Sequence, residues 1–459
     1  MENVLKDFEN AINTKNIKQF KELSRKHYQC NINDIVYELY KNDKLHRIGL
    51  IMVMAMSFEN YIKFDITLDF IGLITEFGDI DSLKIIFNYY IYDNDFILYF
   101  LLKYKNKQHL SDTELNDYYE HEKYKINLNE LINNNNTPLI IACRRGYESI
   151  IRLFIEYGAD VNKENIHGDI PLNEACKTGD ENIVKLLIEN GTTVNGNDEK
   201  GNTSLIVACF NGNEKIIEFL IEHGADINKR NKNGNTPLMA LCHTGNENMV
   251  KFLIEHGAVV GMKNKNDNTS LIIACGMGNE NIVKFLIENG ADINEGKHGN
   301  IPLFLACRKG YANIVKFLIE HGADINKENE GGYTPLIIAC YQGEENIVKL
   351  LIENGASVNK SNKSGSTPLI MACLKGNENI VKLLIDHGVD VNKENNDKNT
   401  PLMIACNKGN ENIVKLLIEH GADILKENKF NETPLSVAKR NNNNNIVNYI
   451  KEKMDENSH

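Results

Sequence analysis

One feature of this chain outranks every other as a constraint on its fold: its prolines keep time. The eight prolines are Pro138, Pro171, Pro237, Pro302, Pro335, Pro368, Pro401 and Pro434. They are separated by 33 residues or a multiple of 33, except for Pro237 to Pro302, which is one residue short at 65. Ser204 and Ser270 fill the two vacant slots. Nine of the ten cysteines follow the same period: Cys143, Cys176, Cys209, Cys242, Cys275, Cys307, Cys340, Cys373 and Cys406. A fixed period of this length marks a stack of small supersecondary units, none of which can bury its apolar face alone. Ten units run from about residue 134 onward and cover about 70% of the 459 residues. Two or three globular domains, the usual expectation for this length, give way to one elongated array.

The physics of one unit is readable at Thr236-Pro237-Leu238 through Gly257. Thr236 is a helix-start residue, and Pro237 falls at the first helical position, where a missing N–H costs nothing. A short helix follows, and Gly245 ends it. A second helix is expected after Asn246-Glu247-Asn248. Its apolar residues Met249, Val250, Phe252, Leu253 and Ile254 cover more than one stripe, so it must be buried on several sides. His256-Gly257 closes it, with glycine as the left-handed cap. The next stretch is polar and rich in turn residues. Each unit is therefore helix, turn, helix, polar hairpin, and the expected fold is an all-α solenoid.

Charge and hydropathy remove several function classes. Lys+Arg 51 against Asp+Glu 63 gives −12, with −5 in residues 1–130 and −7 in the rest. An acidic chain without a basic tail is poorly suited to a phosphate backbone, so no nucleic-acid partner is expected. The start, Met1-Glu2-Asn3-Val4-Leu5-Lys6-Asp7, lacks the basic and apolar regions of a secretory leader. The longest apolar stretch, near Ile48 to Phe58, is about eleven residues, whereas a membrane span needs ~20. The expected place is the cytosol, with the nucleus also open, where cysteines stay reduced.

Repetition also argues against chemistry. Cysteines in neighbouring units lie ~10 Å apart, beyond the ~7 Å that a disulfide tolerates, and a line of single thiols cannot converge on zinc. They read as small core residues, as does Cys30. His223, His256, His321, His387 and His420 share the slot before the closing glycine, where a helix C-terminus favours them. Tyr157, Asn190, Asn289 and Asn354 fill that slot elsewhere. Carboxylates such as Glu156, Glu222 and Glu288, with Lys185, Lys251 and Lys284, read as a solvated outer face. No phosphate-loop, H-E-x-x-H or C-x-x-C motif occurs. The chain is read as no enzyme, with no cofactor and no metal.

The repeating unit resembles the ankyrin repeat, whose pattern is T-P-L-H-x-A-A-x-x-G followed by a second helix ending in G-A-D-V-N. Thr137-Pro138-Leu139-Ile140-Ile141-Ala142-Cys143 and Gly158-Ala159-Asp160-Val161-Asn162 carry the match, as do Thr334 through Cys340 and Gly322-Ala323-Asp324-Ile325-Asn326. Two departures stand out. The family's histidine is replaced throughout (Ile140, Asn173, Ile206, Met239, Ile272, Phe304, Ile337, Ile370, Met403, Ser436), and its second alanine is cysteine in nine units. The last unit, with Lys439 at the cysteine position and Asn441 to Asn445 at its turn, reads as a polar cap.

The resemblance implies a non-catalytic scaffold for protein–protein interaction, expected to be a monomer, that grips a protein or peptide on hairpin tips and the inner face of the first helices. The positions that carry over are Arg144, Arg145, Tyr147, Ile166, His167, Phe210, Met277, Arg308, Lys309, Tyr311, Tyr333, Tyr341 and Leu374. Arg, Tyr and Phe are the types that dominate interfaces. Alternatives are a targeting or regulatory subunit of an enzyme, or a mechanical spacer. The array is assigned to 131–459. Residues 1–130 read as a helical N-terminal extension, in which Gly78-Asp79-Ile80-Asp81-Ser82-Leu83 echoes Gly179-Asp180-Glu181-Asn182-Ile183-Val184 and suggests degenerate units. The polar stretch from Leu110 to Glu130 reads as a loop.

Overall fold

A computed structural model describes residues 136–456 except His298, and before them only Asp7, Asn10, Ala11, Gln19, Leu23, Ile71, Ile74, Thr75, Asp79, Ile80, Leu83, Leu128, Asn129 and Leu131. Cys30 and most of the stretch from Leu110 to Glu130 lie outside the described residues, as does most of the expected N-terminal extension. The described residues fall into two compact units, Met1–Asp226 and Ile227–His459. Twenty helices run between Pro138 and Glu456, and there is no strand among the described residues. A single bridge, Asn197 to Thr203, is the only extended pairing among the described residues.

In the first unit the helices are α1 (Pro138–Arg145), α2 (Glu148–Glu156), α3 (Pro171–Thr178), α4 (Glu181–Glu189), α5 (Ser204–Asn211) and α6 (Glu214–Glu222). In the second they are α7 (Pro237–Thr244), α8 (Glu247–Glu255), α9 (Ser270–Met277), α10 (Glu280–Glu288), α11 (Pro302–Lys309), α12 (Ala312–Glu320), α13 (Pro335–Gln342), α14 (Glu345–Glu353), α15 (Pro368–Lys375), α16 (Glu378–Asp386), α17 (Pro401–Lys408), α18 (Glu411–Glu419), α19 (Pro434–Arg440) and α20 (Asn444–Glu456). Within each unit the odd-numbered first helices pack on one another in chain order, and each packs on the second helix that follows it.

The ends of these short helices are chemically specified. Thr137 and Thr236 accept hydrogen bonds from the N–H of Ile140 and Met239 at 3.2 and 3.3 Å, which satisfies one of the donors left free at a helix start. The same cap serves α5, α9, α13, α15, α17 and α19. Ile170 and Ile301 precede α3 and α11 with no side-chain cap, and proline alone sets those starts. Gly245 ends α7 at φ 82°, a left-handed conformation that costs any residue with a Cβ. The second helix of that repeat begins at Glu247, earlier than the sequence suggested, because Asn246 is its cap and accepts from Met249 N–H at 3.1 Å.

The core is the repeated seam between helices. All nine cysteines of the series are buried free thiols. Burial pushes each thiol up, to about 12 at Cys176, Cys242 and Cys406. The positions that would be histidine in the family are buried apolar residues in most repeats, such as Ile140, Ile206 and Ile337. Packing has replaced a polar side chain there. In the repeat at 433–456 Ser436 and Lys439 are exposed, where the others bury Ile, Met, Phe or Asn and Cys.

Asparagine clamps successive repeats together. In the first unit the Asn162 amide donates to Gly191 O at 3.1 Å while its oxygen accepts from Thr193 N–H at 2.7 Å. Asn195 does the same with Gly224 and Asp226. In the second unit Asn228, Asn294, Asn326, Asn359 and Asn392 repeat the pattern. Gly261 and Leu425 hold the two slots in that series where no asparagine stands.

Candidate functional site

The candidate contact residues sort onto a few register positions. Arg144, Phe210, Arg308, Tyr341 and Leu374 all occupy the same slot, the residue after the buried cysteine, near the end of a first helix. Helical geometry explains why Arg144, Phe210, Arg308 and Tyr341 are exposed and Leu374 is half-buried. The preceding five or six residues turn toward the seam, and the last turn of each eight-residue helix swings past it. Arg145, Met277 and Lys309 follow one position later and are also exposed. Phe210, Met277 and Tyr341 are 40, 44 and 49% exposed, among the most exposed large apolar side chains of the described residues.

In the first unit the structure brings His167 and Phe210 together. Both line a groove of about 380 Å3, with Lys177, Val207 and Asn211 also on its wall. Ile166, at the hairpin tip beside His167, is 55% exposed. His167 Nδ1 lies 3.3 Å from a Glu199 carboxylate oxygen. Arg144 is engaged within the fold. Its Nε donates to Glu174 at 2.9 Å and its Nη2 to Asn136 at 3.2 Å.

Sequence reasoning missed Glu174. It stands on α3 where neighbouring repeats carry Ile or Val, and it is 3% exposed. Burial alone would raise its carboxyl, but hydrogen bonds and charge from Arg144 and Lys177 outweigh burial and hold it below the usual carboxylate range. Lys177 Nζ donates to it at 2.7 Å and lies 3.5 Å from Asp169. Burial opposes the charge of Lys177, and Glu174 and Asp169 raise it net. The sequence signal was the pair Asn173-Glu174 interrupting an apolar slot. Next to it, Asn173 accepts from the buried Ser204 hydroxyl.

In the second unit two tyrosines have structural work. Tyr311 precedes α12, and its ring lies against Gly278, with its hydroxyl 3.5 Å from Met277 O. Asn279, Asn410 and Asn443 fill the same slot in other repeats and donate to the carbonyls of Cys242, Cys373 and Cys406. Tyr147 holds the corresponding slot in the first unit and is half-buried. Tyr333, also half-buried, sits with its ring against Gly331 and donates its N–H to Asn329. Tyr341 and Leu374 stand at one register on the packed helices α13 and α15.

The histidine slot works through a side-chain hydrogen bond back onto its own helix. His223, His256, His321, His387 and His420 each place Nδ1 2.8 Å from the carbonyl four residues back. A carbonyl can only accept, so Nδ1 carries the proton. Asn190, Asn289 and Asn354 make the same bond with an amide. On the outer face, Lys185, Lys251 and Lys284 lie 5.7–5.8 Å from the ring centres of Phe219, Phe285 and Phe317 in the following repeat. Sequence reasoning also missed this contact.

Among the described residues, no group of three His, Cys, Asp or Glu side chains is placed to hold a metal ion. No helix among them is long and apolar enough to cross a membrane. Paired helices, glycine-closed turns and polar hairpins repeated at a fixed period define a helical-repeat solenoid protein. The family model described as "Ankyrin repeats (3 copies)" matches residues 77–198, 158–231, 205–297, 294–362 and 358–428. The chain belongs to the ankyrin-repeat family. Its first matched segment begins at residue 77, upstream of the regular proline series. No curated protein matches the chain. Ankyrin repeats generally mediate protein–protein interaction, and the family is typically non-enzymatic.

Proposed function

We propose that this protein is a non-catalytic interaction scaffold that holds a protein or peptide partner along the inner ends of its first helices and its hairpin tips. One observation carries the reading. At the register after the buried cysteine the scaffold stops repeating, and Phe210, Arg308, Tyr341 and Leu374 take a slot that is elsewhere Lys177, His243, Gly276 or Asn407. The neighbouring buried slot keeps cysteine in nine repeats to preserve packing. A solvent-facing slot that varies in favour of aromatic and guanidinium side chains suits recognition.

The test is crosslinking affinity purification of the full chain from its own cells, alongside the double substitution Tyr341→Ala with Leu374→Ala. Tyr341 is exposed and Leu374 half-buried, so folding should persist, as circular dichroism would verify. A partner retained by the native protein and lost from the double variant is the expected result. A partner retained equally by both would remove the inner row from the interaction.

A further inference from the structure

We infer that the partner of the second unit's inner row is an acidic protein segment carrying apolar anchor side chains. The inference rests on the interaction reading above and goes beyond it by fixing the partner's chemistry.

The first support is charge segregation. Along α9, α11, α13, α15 and α17 the two row positions read Gly276–Met277, Arg308–Lys309, Tyr341–Gln342, Leu374–Lys375 and Asn407–Lys408. No carboxylate occurs at any of them, in a chain of net charge −12. Acids are placed instead on the second helices. Helices α10, α14 and α18 each open on Glu and close on Glu, and α16 opens on Glu and closes on Asp.

The second support is that the row's cations are uncommitted. Hairpin lysines Lys360 and Lys426 pair with Glu328 and Glu394 at 2.6 and 2.8 Å, and Lys263 pairs with Glu295. Arg308, Lys309, Lys375 and Lys408 are exposed and enter no ion pair among the described residues. Two acids do approach the row. Glu378 shares a groove with Lys375 but accepts from Asn412 at 2.9 Å. Glu344 lies against Gly310, next to Lys309.

The third support is the apolar floor. One helical turn back from the row stand Leu305, Ile338, Met371 and Ile404, on the same helix faces. Leu305 and Met371 are 7% exposed, and Ile338 and Ile404 are half-buried. Cations spaced between apolar surface fit carboxylates that alternate with apolar side chains. Packed helices lie ~8–10 Å apart and an extended chain rises ~3.3 Å per residue, so an anchor about every third residue would keep step with the repeats. A nucleic-acid strand is disfavoured, because it presents a phosphate at every step and the whole chain is acidic.

The experiment is selection of a random peptide display library, about twelve residues long to span the row, on the immobilised full-length protein. Selected peptides are then measured against R308E/K309E/K375E/K408E and against the neutral R308Q/K309Q/K375Q/K408Q. Unchanged thermal unfolding verifies that both variants fold. The expected result is enrichment of Asp or Glu interleaved with Leu, Phe or Tyr. Affinity should fall at least about tenfold in the neutral variant and further in the reversed one, and should weaken as salt rises from about 0.05 to about 0.3 M. Glu344→Gln should tighten binding. Peptides enriched without acids, or indifferent to charge reversal, would overturn the inference and leave the scaffold reading standing. Enrichment of no peptide at all would overturn both. Tighter binding of an oligouridine strand through the same four residues would replace the acidic segment with a nucleic acid.

Discussion

Asparagine and histidine exchange freely one residue before the closing glycine because the slot asks for a short donor that can reach back four residues. His256 Nδ1 and Asn289 Nδ2 both sit 2.8 Å from that carbonyl. His256→Asn should therefore leave thermal unfolding unchanged, whereas His256→Leu should cost about 1 kcal/mol. Equal losses from both substitutions would show that the ring's tilted packing against Phe252, at 4.0 Å between centroids, carries the stability instead. The role of the slot was legible in the sequence but its mechanism was not, because a helix end rewards a charge and a neutral donor alike. Glycine closure was fully legible. Gly224 has φ 85° with open space where a Cβ would stand, so Gly224→Val should destabilise through backbone strain alone, by roughly 1–2 kcal/mol or more. An unchanged unfolding midpoint would contradict that.

Glu174 is the residue-level feature that periodicity concealed, since a charge in a buried slot is compensated by partners 30 residues upstream and three downstream. Glu174→Gln should cost about 1.5–3 kcal/mol at neutral pH, as hydrogen bonds to charged groups are lost. The sign of its pH dependence follows from the lowered carboxyl. The contribution is complete above the unfolded value of about 4.3 and is lost as pH falls from there through the lower folded value. Denaturation curves of the native and Glu174→Gln proteins should therefore converge on acidification. A constant gap down to about pH 2, below the unfolded carboxyl range, would rule out Glu174 as the titrating group.

At the scale of elements, the asparagine clamp shows what a repeat pattern encodes and what it hides. The recurring Asn162, Asn195, Asn228 and Asn294 were visible as the end of the G-A-D-V-N run. That each spans two repeats, holding a carbonyl and an N–H of the next, follows only from the fold. One exception is informative. Gly261 has no positive φ, and a Cβ there would meet nothing within 4 Å. Gly261→Asn has room to reach Gly290 O and Asp292 N–H, as Asn228 reaches Gly257 O and Val259 N–H. We expect stabilisation of about 1 kcal/mol from the new bonds, with a further contribution from the reduced freedom of the unfolded chain. Chemical denaturation measures it. Gly261→Ala separates the two parts, and an equal gain in both variants would show that the clamp adds nothing at this slot.

At the scale of the whole molecule, stability in a stack is a sum over units and their shared seams, so a terminal unit matters through the face it covers as well as its own packing. The repeat at 433–456 is built for that role. It keeps Val437, Ala438, Ile446 and Ile450 buried against its neighbour, yet exposes Ser436 and Lys439 at positions that are core in other repeats. It also carries the longest described helix, the thirteen-residue α20. Lys415 and Lys453 lie 5.7 and 5.8 Å from its Tyr449 ring, and Asn443 donates to Cys406 O at 2.7 Å. Removing residues 433–459 would uncover the apolar sides of α17 and α18, and contiguous apolar surface of that kind drives association. The truncated protein should unfold at a lower temperature and scatter light as oligomers. Restoring solubility by Met403→Ser with Cys406→Lys, which copies the polar choices at Ser436 and Lys439, would locate the effect in the uncovered face. A truncated chain that stays monodisperse with an unshifted midpoint would show that the array needs no polar end here.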